Sequence, residues 1–196
     1  MRNHAQAMVA ADFLVAITAG FRVLYVLVVM EIGSRRILHC NVTAHPTAAW
    51  SVQQFREAVP SDHSSRFLLH DGDSIFSTEV DDELTAFGPK VLRTPVQAPN
   101  ANAYCERLMG TTRRECLDYV IPLNEKHLRR ILREWVAHYN QGGPHSSLGP
   151  GIPDLRLKQI QRPKVQRHQL PAACRIRIKD VLGGLHHEYW LEEIAA

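Results

Sequence analysis

The sequence predicts an α/β fold: a mixed five-stranded sheet flanked by helices, followed by a small basic β appendage. Three observations carry this. Aliphatic runs between Val9 and Val42, broken at Ala19-Gly20 and Gly33-Ser34, read as three consecutive strands joined by short turns. From Thr47 to Thr94 the pattern alternates between helical and strand periods, giving βββαβαβα with the following helix. Beyond Pro150 the charge balance changes. Residues 1–150 hold 15 basic and 15 acidic side chains, whereas residues 151–179 hold eight basic residues against Asp154 alone, a net of +7.

The elements follow in order. Val9 to Met30 reads as two buried strands and Arg36 to Val42 as a third. Thr47 supplies a side-chain oxygen to start a helix through Ala48, Trp50, Val52, Phe55 and Val59, which Pro60 ends. Arg66-Phe-Leu-Leu-His-Asp71 is a short buried strand closed by a carboxylate. Thr78 to Phe87 reads as helix and Lys90 to Thr94 as strand. Pro95 to Asn102 is a loop leading into a helix over Ala101 to Leu117, on which Cys105, Leu108, Thr112 and Cys116 share one face. Asn102, Glu106, Gly110 and Arg113 share the neighbouring face. Glu125 to Asn140 carries an apolar stripe of Leu128, Ile131, Leu132, Trp135, Val136 and Tyr139, which reads as core packing. Arg175 to Leu182 and Leu185 to Leu191 form a hairpin around Gly183-Gly184.

Composition excludes several classes. With 45% apolar and 22% charged residues in 196, the chain is not disordered. Four cysteines without CxxC spacing argue against a zinc ribbon or a disulfide framework and suit a reducing, cytoplasmic setting. No signal-peptide pattern opens the chain, and Val23–Met30, bounded by Arg22 and Glu31, is too short to span a bilayer.

Three acids stand where acids are costly. Asp12 interrupts an apolar strand, Asp71 ends one, and Glu106 lies near the start of a helix. Each alone reads as an ordinary hydrogen-bonded carboxylate, and Asp71-Gly72-Asp73-Ser74 alone reads as a turn. Converging, the three make an oxygen-rich pocket suited to hard divalent cations.

Their order and spacing resemble the retroviral-integrase-like (DDE) catalytic core of bacterial insertion-sequence transposases, over about Val9 to Pro153. The motifs are Asp12, His70-Asp-Gly-Asp-Ser-Ile-Phe76, and Asn102-Ala-Tyr-Cys-Glu-Arg107, with 106 − 71 = 35. Arg113-Arg-Glu-Cys-Leu117, His138-Tyr-Asn140 and Pro144-His-Ser-Ser-Leu148 resemble the sequence that follows the catalytic helix in that family. The resemblance implies a ribonuclease-H-like fold and Asp12, Asp71 and Glu106 as ligands of two Mg²⁺ or Mn²⁺ ions. It implies cleavage and strand transfer of DNA at element ends and a target duplex by a homo-oligomer. Asp73 competes with Asp71 as ligand, because the family's Asn-Gly after the second Asp is here Gly72-Asp73. Gly143 stands where the family usually has Arg. Only eight residues precede Val9, so the family's upstream helix-turn-helix is not in this chain. The expectation is a partner helix-turn-helix subunit or full-length transposase, or else a truncated, non-catalytic DNA-binding fragment. A ribonuclease-H-like nuclease without strand transfer is the third reading.

Arg107, Arg113 and Arg114 read either as phosphate contacts beside the metals or as solvated helix residues paired with Glu115 or Asp118. Asn102 reads as a substrate contact or a helix cap. Arg156, Lys158, Arg162, Lys164 and Arg167, broken by proline, read as a backbone contact to duplex DNA or a solvated linker. The domain expectation is a catalytic core over 1–150 and a basic linker with hairpin over 151–196.

Overall fold

A computed structural model describes residues 7–59, 65–72, 75–94, 103–143, 151–154 and 174–194. The chain divides into two compact units, Met1–Arg133 and Glu134–Ala196.

The first unit is built on a five-stranded sheet of order β3-β2-β1-β4-β5: β1 Met8–Ile17, β2 Val23–Glu31, β3 Ile37–Thr43, β4 Phe67–His70 and β5 Lys90–Arg93. β1, β2 and β3 pair antiparallel, as short turns dictate, while β4 and β5 add in parallel after helical crossovers. The sheet is therefore mixed. β4 is buried along nearly its whole length because it lies between β1 and β5 under helices, which explains its uninterrupted Leu68-Leu69 run.

Helices α1 (Ala48–Ala58) and α2 (Thr78–Ala86) cover one face. Val52, Phe55, Val80 and Leu84 close there on Val9, Ala11, Leu27, Val29 and Leu68. The Thr47 hydroxyl caps α1, accepting from the Trp50 N–H at 3.2 Å. On β1 the alternation sends Ala10, Asp12 and Leu14 to the other face, where α3 (Ala103–Glu115) packs through Cys105, Leu108 and Thr112. Helix α4 (Glu125–Gln141) buries Leu128, Ile131 and Leu132, and its Arg129 guanidinium donates to the Val42 carbonyl of β3 at 2.6 and 3.1 Å. The β1–β2 turn falls at Ala19-Gly20 as expected, and exposed Phe21 after it takes the left-handed conformation (φ 58°).

The second unit holds the C-terminal half of α4 and a hairpin of β6 (Cys174–Val181) and β7 (His186–Glu193). The His138 carbonyl accepts from the Gly142 and Gly143 N–H groups, ending α4. His138 Nδ1 lies 3.0 Å from Glu188 Oε1, and its ring stacks on His186 at 4.9 Å. The hairpin's basic residues are already paired across its strands: Arg175 and Arg177 with Glu192, and Lys179 with Glu188. Among the described residues no helix is long and apolar enough to cross a membrane.

Candidate active site

Asp12 and Asp71 come together through strand register. The last paired position between parallel β1 and β4 is Ala11↔His70, so the next residues, Asp12 and Asp71, continue the same row on neighbouring strands. Adjacent strands lie about 4.8 Å apart, which sets the scale of their separation. Both are half-buried, and one Asp12 oxygen accepts from the Phe13 N–H at 2.7 Å.

Helix α3 brings the third carboxylate. Glu106 is exposed in its first turn, while the preceding Cys105 is fully buried against the sheet. Burial, with added repulsion from Asp12, Asp71 and Glu106, holds the Cys105 thiol far above its ordinary range. Asp12, Asp71 and Glu106 thus all act on the buried Cys105 sulfur. Asp73 lies outside the described residues.

The segment after Asp71 is anchored by aromatics. Phe76 is buried and packs on Phe13 (5.2 Å), Phe55 (6.1 Å) and His70 (4.4 Å between centroids). His70, fully buried, has Nε2 2.9 Å from Asp81 Oδ1 and Nδ1 against the Asp71 carbonyl, and Asp81 also receives Arg93. His70 therefore fixes the backbone at Asp71 from the opposite face. The sequence reading passed over it, because a histidine ending an apolar strand gives no signal of what it touches.

The predicted phosphate contacts are unequal. Arg113 donates to the Val15 carbonyl at 3.2 Å, which ties α3 to β1. Arg107 and Arg114 are exposed on α3. Asn102, Arg156, Lys158, Arg162, Lys164 and Arg167 lie outside the described residues. A further cation stands near the start of α3. The Arg35 guanidinium stacks 3.5 Å over the ring of Tyr104, two residues before Glu106, and Arg35 itself is left-handed (φ 65°), uncommon for a residue with a Cβ. Only the Gly33-Ser34 turn was legible there.

The donor set is all oxygen, on two strands and a helix that meet, and this suits Mg²⁺ or Mn²⁺ rather than a nitrogen- or sulfur-seeking metal. Among the described residues no three His, Cys, Asp or Glu side chains are already gathered round a common point as ligands. The fit rests on donor chemistry and on the β1/β4 register that carries Asp12 and Asp71. A cavity of about 440 Å³ between α1, α2 and the beginnings of β1 and β4, lined by Phe55, Arg56, Leu84 and Phe87, is not part of this site.

The fold, with its sheet order 3-2-1-4-5, matches known proteins. The chain aligns with a simian T-cell lymphotropic virus intasome chain at TM-score 0.63, covering 94% of this chain and 66% of that one at 11% identity. It aligns with the HTLV-2 integrase catalytic core domain in complex with magnesium at TM-score 0.59, over 76% and 93% of the two chains, 13% identical. The catalytic domain of Mos1 mariner transposase follows at 0.55, over 68% and 71%, 16% identical. This is the ribonuclease-H-like fold of integrase and transposase cores. Sequence agrees: the integrase core domain model matches residues 88–153, a stretch that includes Glu106. Over 74 residues the chain is 42% identical to an uncharacterized 39.2 kDa protein of insertion element IS476 from Xanthomonas euvesicatoria. That stretch is 38% of this chain and 21% of the insertion-element protein.

Proposed function

We propose that this integrase-type core cleaves and joins DNA strands in transposition, with Asp12, Asp71 and Glu106 as its catalytic carboxylates. The observation that carries the reading is the strand register that sets Asp12 and Asp71 on neighbouring strands, with α3 and its Glu106 packed on β1, in a fold shared with integrase and transposase cores. When bound, a pair of Mg²⁺ or Mn²⁺ ions supplies charge neutralisation at the attacking and leaving oxygens of an in-line phosphoryl displacement. The residues' own work is to present oxygen donors. Asp12, central on β1, would offer one donor, Asp71 the second, and Glu106 the third from α3. Arg107, Arg114 and Asn102 contact the substrate phosphates. No Ser or Tyr nucleophile enters, since water or a DNA 3′-hydroxyl attacks directly.

The partners are element ends and a target duplex, held by an oligomer and by a helix-turn-helix supplied by another subunit or a full-length transposase. Residues 1–150 form the catalytic core. Residues 151–196 add a DNA-backbone contact through Arg156, Lys158, Arg162, Lys164 and Arg167, in a cytoplasmic protein.

Incubating the chain with Mg²⁺ or Mn²⁺, a supercoiled plasmid and a labelled duplex ending in a recessed 3′-hydroxyl separates the readings. Strand transfer yields labelled plasmid. Nicking without label transfer identifies a nuclease, and DNA binding without either reaction identifies a non-catalytic fragment.

A further inference from the structure

The first half of α4 carries a surface that the catalytic reading leaves unused. Its inward face holds Leu128, Ile131 and Leu132, whereas Lys126, Arg130 and Arg133 are exposed. Their spacing of four and three residues puts the three cations on one stripe about 10 Å long. With Asn124 and His127 they line an open groove of about 570 Å³.

The groove's charge is uncompensated. Residues 119–133 contain four basic side chains and one acid, a net of +3. That acid, Glu125, is 2.6 Å from Arg129, which is itself tied to β3 through the Val42 carbonyl. Among the described residues Lys126, Arg130 and Arg133 enter no salt bridge. Like charges at such spacing destabilise an isolated helix, and a polyanion laid along the stripe reverses that cost.

We propose that this groove grips the phosphate backbone of duplex DNA without reading its sequence. One strand presents a charge every 3.4 Å along the axis, so the stripe faces roughly three phosphates. The groove is distinct from the candidate active site. Arg129 fastens α4 beside edge strand β3, and Asp71 follows β4, three strand spacings or about 14 Å across the sheet. The DNA gripped here is therefore a segment flanking the reacting phosphate. The inference rests on the reading that the chain works on DNA, but its test requires no catalysis.

The test is binding of the full chain to a random-sequence 30-base-pair duplex, without divalent metal, across 50–200 mM salt. Wild type is compared with the triple variant Lys126→Gln, Arg130→Gln, Arg133→Gln. At about 0.9 per phosphate contact, the log–log salt slope becomes shallower by about 2.7, so wild type loses about 40-fold more affinity over this range than the variant. The loss is the same for any duplex sequence. An unchanged slope in a variant with wild-type circular dichroism, or no duplex binding by wild type, overturns the proposal. Tighter binding of single-stranded RNA or polyglutamate than of duplex overturns the choice of partner. Strand transfer by Asp12→Asn is a separate readout. If it proceeds at the wild-type rate, the active-site reading fails while the groove stands.

Discussion

Phe76 is the structural anchor of the segment that follows Asp71, and its removal is a quantitative test of the packing described for the site. Its ring is 3% exposed and touches Phe13, Phe55 and His70 from three directions. Phe→Ala at such a position loses both the transfer energy of the ring and the contacts around the resulting cavity, together about 4 kcal/mol. For a protein of this size that corresponds to a fall of about 8–16 °C in Tm. Phe76→Leu refills most of the volume and should cost about 1–2 kcal/mol. Urea unfolding followed by far-UV circular dichroism measures both variants. The cost has a functional counterpart, because His70 touches both the Phe76 ring and the Asp71 carbonyl. Phe76→Ala should therefore lose more strand-transfer activity than stability at a temperature where it remains folded. A loss below about 1.5 kcal/mol for Phe76→Ala would refute the reasoning, since a ring so enclosed cannot leave without a larger penalty.

Two further outcomes follow from buried polar contacts. Asp81→Ala leaves Nε2 of fully buried His70 without its acceptor and should cost about 1–3 kcal/mol in urea unfolding, whereas Arg93→Ala, removing an exposed partner, should cost well under 1 kcal/mol. In the second unit, partial burial raises the Glu188 pKa, but hydrogen bonds from His138 and Lys179 outweigh it, and the carboxyl sits below its ordinary 4.5. A depressed folded-state value means the contribution is fully present above pH 4.5 and is lost as pH falls through the lower folded value. The protection of β6 and β7 amides, taken relative to intrinsic exchange at each pH, should fall below pH 4.5 in wild type and show a weaker acid dependence in Glu188→Gln.

Much of this was legible because the relevant signals are local. Asp12 stands out against Val9-Ala-Ala and Phe13-Leu-Val, and strand alternation alone sends it to the face opposite Ala11. The α4 stripe shows because 3.6-residue periodicity survives any tertiary context. What escaped depends on contacts distant in sequence. The residues Arg175, Arg177 and Lys179 count toward a basic strip when charge is summed along the chain, yet the hairpin register sets Glu192 and Glu188 beside them. Arg35 and Tyr104 are 69 positions apart, and only the fold stacks one on the other. The Ala19-Gly20 turn was legible, but the left-handed Phe21 that follows it was not, because positive φ at a residue with a Cβ leaves no mark in sequence.

The central claim is that Asp12, Asp71 and Glu106 together form a divalent-ion site. The direct measurement is the Tm of wild type and of Asp12→Asn, Asp71→Asn and Glu106→Gln, each with EDTA and with Mn²⁺. An ion at 100 times its Kd stabilises the native state by about 2.7 kcal/mol, so wild type should gain about 5–10 °C while each variant gains little. In EDTA the variants should melt at or above wild type, because neutralising one carboxylate relieves repulsion among the three. An equal Mn²⁺ shift in all four proteins, or none in wild type, would contradict the account.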